Sequence, residues 1–146
     1  MNRADFFFSA IDAVVDLDDP LEARSAHKFM IDALFRVQQE LPLPVQKAAT
    51  VAHQFLAGIL EERTLVAERV KLWKFIAGRD MSRESEVLRT RAAICVMSPP
   101  ENSDMHERIA FFLYMWVAGG LSEAQLAASI ESTYGIKTAP GQAEPL

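Results

Sequence analysis

Apolar residues recur at steps of three and four along almost the whole chain, and this spacing constrains the fold more than any other feature. Alternating apolar and polar stretches, which would indicate strands, are almost absent. Prolines and glycines interrupt the helical pattern at a few places, chiefly Asp19-Pro20, Leu41–Pro44, Gly78, Ser98–Pro100 and Gly119-Gly120. The sequence therefore predicts an all-α fold.

The pattern predicts a single-domain helical bundle of about six helices, one of them long or bent. The helices are expected near residues 3–15, 20–41, 44–78, 82–97, 103–118 and 122–135. A chain of 146 residues suits one domain with a real core. We expect that domain to cover residues 1–136, followed by a flexible C-terminal tail at residues 137–146, which is rich in Pro and Gly.

The third segment is the longest, and its apolar stripe stays in phase from Ala48 to Ala77. This continuity favours one long helix in which Val70 and Trp73 face the core. Gly58 and the charged Glu62, which lies on the stripe, leave open a bend or a split into two helices.

Capping signals mark several helix ends. Asp19 before Pro20 suits a helix start, and Ser122 with Gln125 has the spacing of a capping box. Gly135 is an expected C-terminal cap. The segment from Ile109 to Ala118 is apolar nearly all round, so we expect it to be the central buried helix.

Charge argues against a generic nucleic-acid partner. The chain has 15 basic and 20 acidic residues and a net charge of −5, whereas a phosphate-binding protein is usually basic. The charge is uneven, because residues 63–91 carry a net +4 while residues 1–40 and 92–146 each carry −4. Such a distribution indicates either basic and acidic helices that neutralise each other, or a polarised surface that steers a charged partner.

The residues that usually carry chemistry form no recognisable constellation. Cys95 is the one cysteine and lies between apolar neighbours, so it is expected to be a small buried hydrophobe. His27, His53 and His106 fall on three different predicted helices, and none has a partner at metal-ligand spacing. Phosphate-binding loops and nucleophile elbows are absent. We therefore expect no metal, no cofactor and no enzymatic activity.

The sequence also predicts a cytoplasmic protein without a membrane span. The N-terminal segment carries Asp5, Asp12 and Asp16 among its apolar residues, unlike a signal peptide. The most apolar run, Ile109–Ala118, is about half as long as a membrane-spanning helix needs to be.

Two interpretations of function remain, and no motif indicates a known family. The first is a non-catalytic interaction module, such as an inhibitor or immunity protein that neutralises a partner enzyme or toxin; this rests on analogy of architecture alone. For a basic partner, the candidate contact residues form two alternative acidic clusters: Asp16, Asp18, Asp19 and Glu22, or Glu101, Asp104 and Glu107. The alternative is a small-molecule-binding or catalytic bundle organised by a buried Glu62. A homodimer is compatible with either interpretation.

Overall fold

The fold is all-helical, as the apolar spacing predicts. The computed structural model describes residues 2–102 and 104–138, and in these residues it contains seven α-helices, two short 3-10 turns and no strand. The α-helices are α1 (Arg3–Asp12), α2 (Pro20–Arg36), α3 (Leu43–Leu56), α4 (Glu62–Phe75), α5 (Ser85–Val96), α6 (Met105–Ala118) and α7 (Glu123–Tyr134). The 3-10 turns are Gln38–Glu40 and Pro100–Asn102. Of the expected C-terminal tail, residues 139–146 lie outside the described residues.

Helix α6 is central, as its apolar sequence indicates. It packs along α5 and α1 and also contacts α2, which in turn packs against α3 and α7. Phe112 of α6 forms edge-on and tilted ring contacts with Phe29 of α2 and with Trp116, and all three rings are fully buried. Only part of α6 is covered, however, because Phe111 and Tyr114 on its outer side are exposed.

The predicted capping residues are confirmed, but the capping box is only half formed, because the Ser122 amide donates to Glu40 Oε1 at 3.1 Å and not to the Gln125 side chain. The Asp19 carboxylate accepts a hydrogen bond from the Leu21 amide at 2.8 Å, and Ser122 Oγ accepts one from the Gln125 amide at 3.2 Å. Gly135 ends α7 in the left-handed region, with a φ of +72°. These local interactions satisfy amides and carbonyls that helix ends leave without intrahelical partners.

Several predicted helix ends differ from the structure. Helix α1 stops at Asp12 rather than near residue 15, and Val14, which follows it, is 62% exposed. Helix α2 ends at Arg36, and the Gln38–Glu40 turn follows it. Helix α5 begins at Ser85 rather than Ser82, because the Ser82 hydroxyl accepts from the Glu84 amide in a turn before the helix.

Of the two alternatives for the third segment, the favoured single long helix is wrong and the split is correct: the chain forms two helices there, α3 and α4. Gly58 adopts a φ of +81°, and the Ile59 amide donates to the Gln54 carbonyl at 3.0 Å. A left-handed glycine with this hydrogen bond is the ordinary way in which a helix ends. The apolar stripe that runs in phase through this region therefore does not lie on one helix.

Helix α4 takes its own phase, and its buried positions are Leu65, Glu68 and Leu72. Val70 and Trp73, expected in the core, are instead exposed, as is Ala77 beyond the helix end. Helix α4 begins after a turn, so the apolar stripe of α3 does not determine which of its faces is buried. Its packing against α3 and α5 does.

Arg89 ties the end of α6 to the rest of the bundle. Its guanidinium donates to the carbonyls of Gly119 at 2.8 Å, Glu40 at 2.8 Å and Gly120 at 3.2 Å. One side chain thus satisfies three backbone acceptors and fixes the connection before α7.

In residues 2–102 and 104–138, no helix combines the length and the apolar character that crossing a membrane requires.

Candidate functional site

The first wall of the candidate site is the turn that leads into α2. Leu17 is buried and anchors this turn, while Asp16 accepts a hydrogen bond from the Asp18 amide at 3.1 Å. The Asp19 carboxylate is hydrogen-bonded in the cap of α2. The Asp18 carboxylate has no such local hydrogen bond among the described residues and is exposed.

The second wall is the connection between α5 and α6, and a buried arginine holds it in place. Arg108 of α6 donates to the carbonyls of Ser98 at 2.8 Å and Pro99 at 2.7 Å, and also to that of Cys95 at 3.3 Å. Burial lowers the pKa of this guanidinium. The clamp positions the 3-10 turn that carries Glu101, and Asp104 then caps α6 by accepting from the Glu107 amide at 3.2 Å.

These two walls enclose a groove of about 360 Å³, which we call the acidic groove. Three carboxylates line it: Asp18 from the first wall, and Glu101 and Asp104 from the second. Its other lining residues are Arg24 and the apolar Leu17, Pro20, Ala23, Pro100 and Met105. The groove therefore combines an apolar surface with a concentration of negative charge.

One cation of the chain already lies in the acidic groove. Arg24 Nε lies 4.0 Å from a Glu101 carboxylate oxygen, and both side chains are more than half exposed. An exposed pair at this distance is weak, because water screens it and two long side chains must be held in place. Glu101 can therefore exchange Arg24 for another cation at little cost.

The structure thus joins parts of the two acidic clusters that the sequence presented separately. Of the seven acidic candidates, Asp18, Glu101 and Asp104 line the acidic groove. Asp16, Asp19, Glu22 and Glu107 do not line it. Glu22 lies on the side of α2 toward Tyr134, whose pKa is raised by burial and, to a smaller extent, by the charge of Glu22.

The expectation of a buried Glu62 is wrong. Glu62 is exposed in the first turn of α4, where an acidic side chain interacts favourably with the helix end. The buried carboxylate of this helix is Glu68, which pairs with Lys71 Nζ at 3.0 Å. The pairing raises the pKa of Lys71. A catalytic or ligand-binding site built on Glu62 therefore loses the residue that motivated it.

The three histidines lie in separate environments. His27 is buried, and its Nε2 lies 2.8 Å from the Val96 carbonyl oxygen. His53 is exposed and stacks on Phe35, while His106 Nε2 lies 3.6 Å from an Asp12 oxygen. Within residues 2–102 and 104–138, no three His, Cys, Asp or Glu side chains converge as metal ligands would.

Cys95 is partly covered and packs against the core. Burial raises the pKa of its thiol to about 11, so the sulfur carries a proton at neutral pH. Since the thiolate is the nucleophilic form, this environment agrees with the expected packing role of Cys95.

Comparisons with models of protein families, with curated proteins and with solved structures find no match for this chain. The chemistry of this chain's own surface is therefore the basis for inferring its function.

Proposed function

We propose that this chain is a non-catalytic protein-interaction module that binds a basic segment of a partner protein in the acidic groove. One observation carries the proposal: carboxylates about eighty residues apart in sequence, Asp18 and Glu101, line one groove with an apolar surface. A lysine or arginine suits such a groove, since its aliphatic stem packs on apolar atoms while its charged head meets the carboxylates.

The proposal extends to inhibition, with the cytoplasm as the place of action. An enzyme that acts on nucleic acid carries a basic substrate surface, because it must neutralise phosphates. An acidic bundle docked on that surface blocks the substrate by both charge and volume. An inhibitor or immunity-type protein directed against a nuclease toxin would work in this way.

Capture from a lysate of the protein's source tests this function. The chain is immobilised as wild type and as Asp18→Asn/Glu101→Gln, neither of which removes a helix cap. We expect wild type to retain a basic protein in stoichiometric amount, to release it as salt rises, and to lose it in the double variant. The control Asp5→Asn/Glu131→Gln removes the same charge from exposed positions that do not line the groove, and it should retain the partner.

A variant that should raise the affinity for the partner complements this test. Arg24→Gln removes the internal cation from the acidic groove, so it should strengthen capture of the basic protein by about two- to fivefold in affinity. A partner held equally by wild type, Asp18→Asn/Glu101→Gln and Arg24→Gln would contradict the proposed site.

A further inference from the structure

A second surface, on the outer side of α4, α5 and α6, exposes three aromatic side chains. Trp73 of α4 is 42% exposed, and Phe111 and Tyr114 of α6 are 45% and 41% exposed. Trp73 and Phe111 line a pocket of about 260 Å³ that also includes Ile94 and Cys95 of α5. We call this region the aromatic face. Neighbouring exposed aromatic side chains beside a pocket are a common feature of interaction sites.

Arginines stack on two of these rings. The Arg91 guanidinium carbon lies 5.5 Å from the centre of the Phe111 ring, and that of Arg83 lies 5.9 Å from the centre of the Tyr114 ring. Arg83 also donates to the Tyr114 hydroxyl at 3.0 Å. These contacts hold both guanidinium groups over the aromatic face.

The positive charge of these arginines is not compensated within the part of the chain that the structure describes. Neither Arg83 nor Arg91 has a carboxylate within ion-pair distance there, whereas the neighbouring Arg79 pairs with Glu86. Because stacking already restricts both guanidinium groups, they lose little further freedom when a carboxylate binds.

We propose that the aromatic face binds an acidic peptide segment of a partner protein. An apolar side chain of the peptide enters the pocket between Trp73 and Phe111, and its carboxylates pair with Arg83 and Arg91. Charge complementarity supports this occupant. This second docking surface goes beyond the basic partner proposed for the acidic groove.

The charges around the pocket also set the orientation of the peptide. Arg91 stacks on Phe111, which lies further along α6 than Asp104 and Glu107; these two carboxylates line the same pocket and repel other carboxylates. Arg108 also lines the pocket, but its guanidinium donates to the Ser98 and Pro99 carbonyls. The acidic residues of the peptide must therefore lie on one side of its apolar residue, toward Arg83 and Arg91. A peptide with acidic residues on both sides meets repulsion at Asp104 and Glu107.

A single-stranded nucleic acid fits this surface less well than a peptide does. Bases bind by stacking on open aromatic faces, but guanidinium groups already cover Phe111 and Tyr114 on one side. A continuous phosphate backbone that reached the pocket would also approach Asp104 and Glu107.

Titration with short blocked peptides, followed by NMR of the two tryptophan indole N–H groups, tests the inference. The probes carry two Glu next to one Leu, in either order, and the matched probes carry Gln instead of Glu. We expect one Glu probe to shift the Trp73 signal in a saturable way. The signal of the buried Trp116, which donates to the Ser122 carbonyl, should stay in place.

Two variants locate the binding. Arg83→Gln/Arg91→Gln should weaken the Glu probe about tenfold, since two exposed ion pairs are lost. The control Lys28→Gln/Arg63→Gln removes the same charge from exposed positions and should leave the affinity within about twofold. Trp73→Ala, which removes a half-exposed side chain, should also abolish saturable binding as monitored by calorimetry. An unchanged Trp116 signal and thermal midpoint show that each variant is folded.

Several results would overturn the inference: no saturable Trp73 shift, equal binding of the Gln probe, or tighter binding of an oligothymidine at the same signal. A Trp73 signal that depends on protein concentration without peptide would instead assign the aromatic face to a second copy of the chain. Asp18→Asn/Glu101→Gln should leave the peptide affinity unchanged, so this test and that of the acidic groove fail independently.

Discussion

The protonation state of the buried His27 depends on whether the chain is folded. Burial lowers its pKa from 6.5 to about 4, although the hydrogen bond with the Val96 carbonyl opposes that shift. Between these two pH values the unfolded chain binds a proton that the folded chain excludes. The contribution of His27 to stability is therefore fully present above pH 6.5 and is lost as pH falls toward 4.

This linkage predicts that the free energy of unfolding falls by about 3 kcal/mol between pH 7 and pH 4 because of His27 alone. Urea unfolding at a series of pH values measures it. His27→Gln should flatten this part of the profile, whereas the exposed His53→Gln should keep the slope of wild type. Parallel profiles for wild type and His27→Gln would show that His27 titrates normally.

Tyr134 carries a second buried polar group, its hydroxyl. Its ring packs near Phe29, and its buried hydroxyl has no partner among the described residues. Tyr134→Phe should therefore stabilise the protein by about 1 kcal/mol in urea unfolding. Tyr114→Phe, whose hydroxyl is exposed and accepts from Arg83, is the matched control and should change stability by less than about 0.5 kcal/mol. A loss of stability in Tyr134→Phe would indicate a partner for the hydroxyl.

At the scale of elements, Arg108 connects folding to the candidate site, because it clamps the segment between α5 and α6 that carries Glu101. Arg108→Met leaves the carbonyls of Ser98 and Pro99 without this donor, and we expect a loss of about 3 kcal/mol in the free energy of unfolding. Hydrogen exchange of the backbone amides between Ser98 and Asp104 should accelerate.

Arg63→Met is the control for Arg108→Met. Arg63 is 85% exposed and pairs with Glu61, so its loss should cost less than about 1 kcal/mol. Equal stability of the two variants would mean that the clamp does not hold the connection.

Element positions were more predictable from the sequence than element boundaries were. Asp19, Ser122 and Gly135 cap helices through hydrogen bonds to residues two to four positions away, so the local sequence is enough to recognise these caps. The split between α3 and α4 stayed one of two alternatives, because an apolar period can continue across a turn. Gly58 was the local signal for this split, and its positive φ ends α3.

A charged residue in phase with apolar ones is informative only when the helix phase is known. Glu62 is in phase with the apolar residues only if residues 44–78 form one helix, and the turn after α3 shows that they do not. Arg108 gives the same signal on α6, between Met105 and Phe112, and there it identifies a buried group correctly. The position of Arg108 among the apolar residues of α6 was therefore a sequence signal for the buried clamp.

At the scale of the whole molecule, the bundle brings together what sequence distance separates. The acidic clusters near Asp18 and Glu101 could be recognised from sequence, but only as two alternatives, because their proximity depends on the packing of α2 beside the Pro100–Asn102 turn. The aromatic face also depends on packing, because the rotation of α4 about its axis decides whether Trp73 is exposed. The sequence around Trp73 does not indicate that rotation.

Binding of a basic side chain in the acidic groove should be visible in the methyl signal of Met105. Met105 lines the groove and is buried, while the distant Met81 is 81% exposed and serves as an internal reference. The measurement is a titration with a short blocked peptide that contains two Arg next to one Leu, at low and high salt. We expect a saturable Met105 shift, with an affinity that falls as salt rises and falls about tenfold in Asp18→Asn/Glu101→Gln. No Met105 shift, or an equal affinity in the double variant, would contradict binding in the acidic groove.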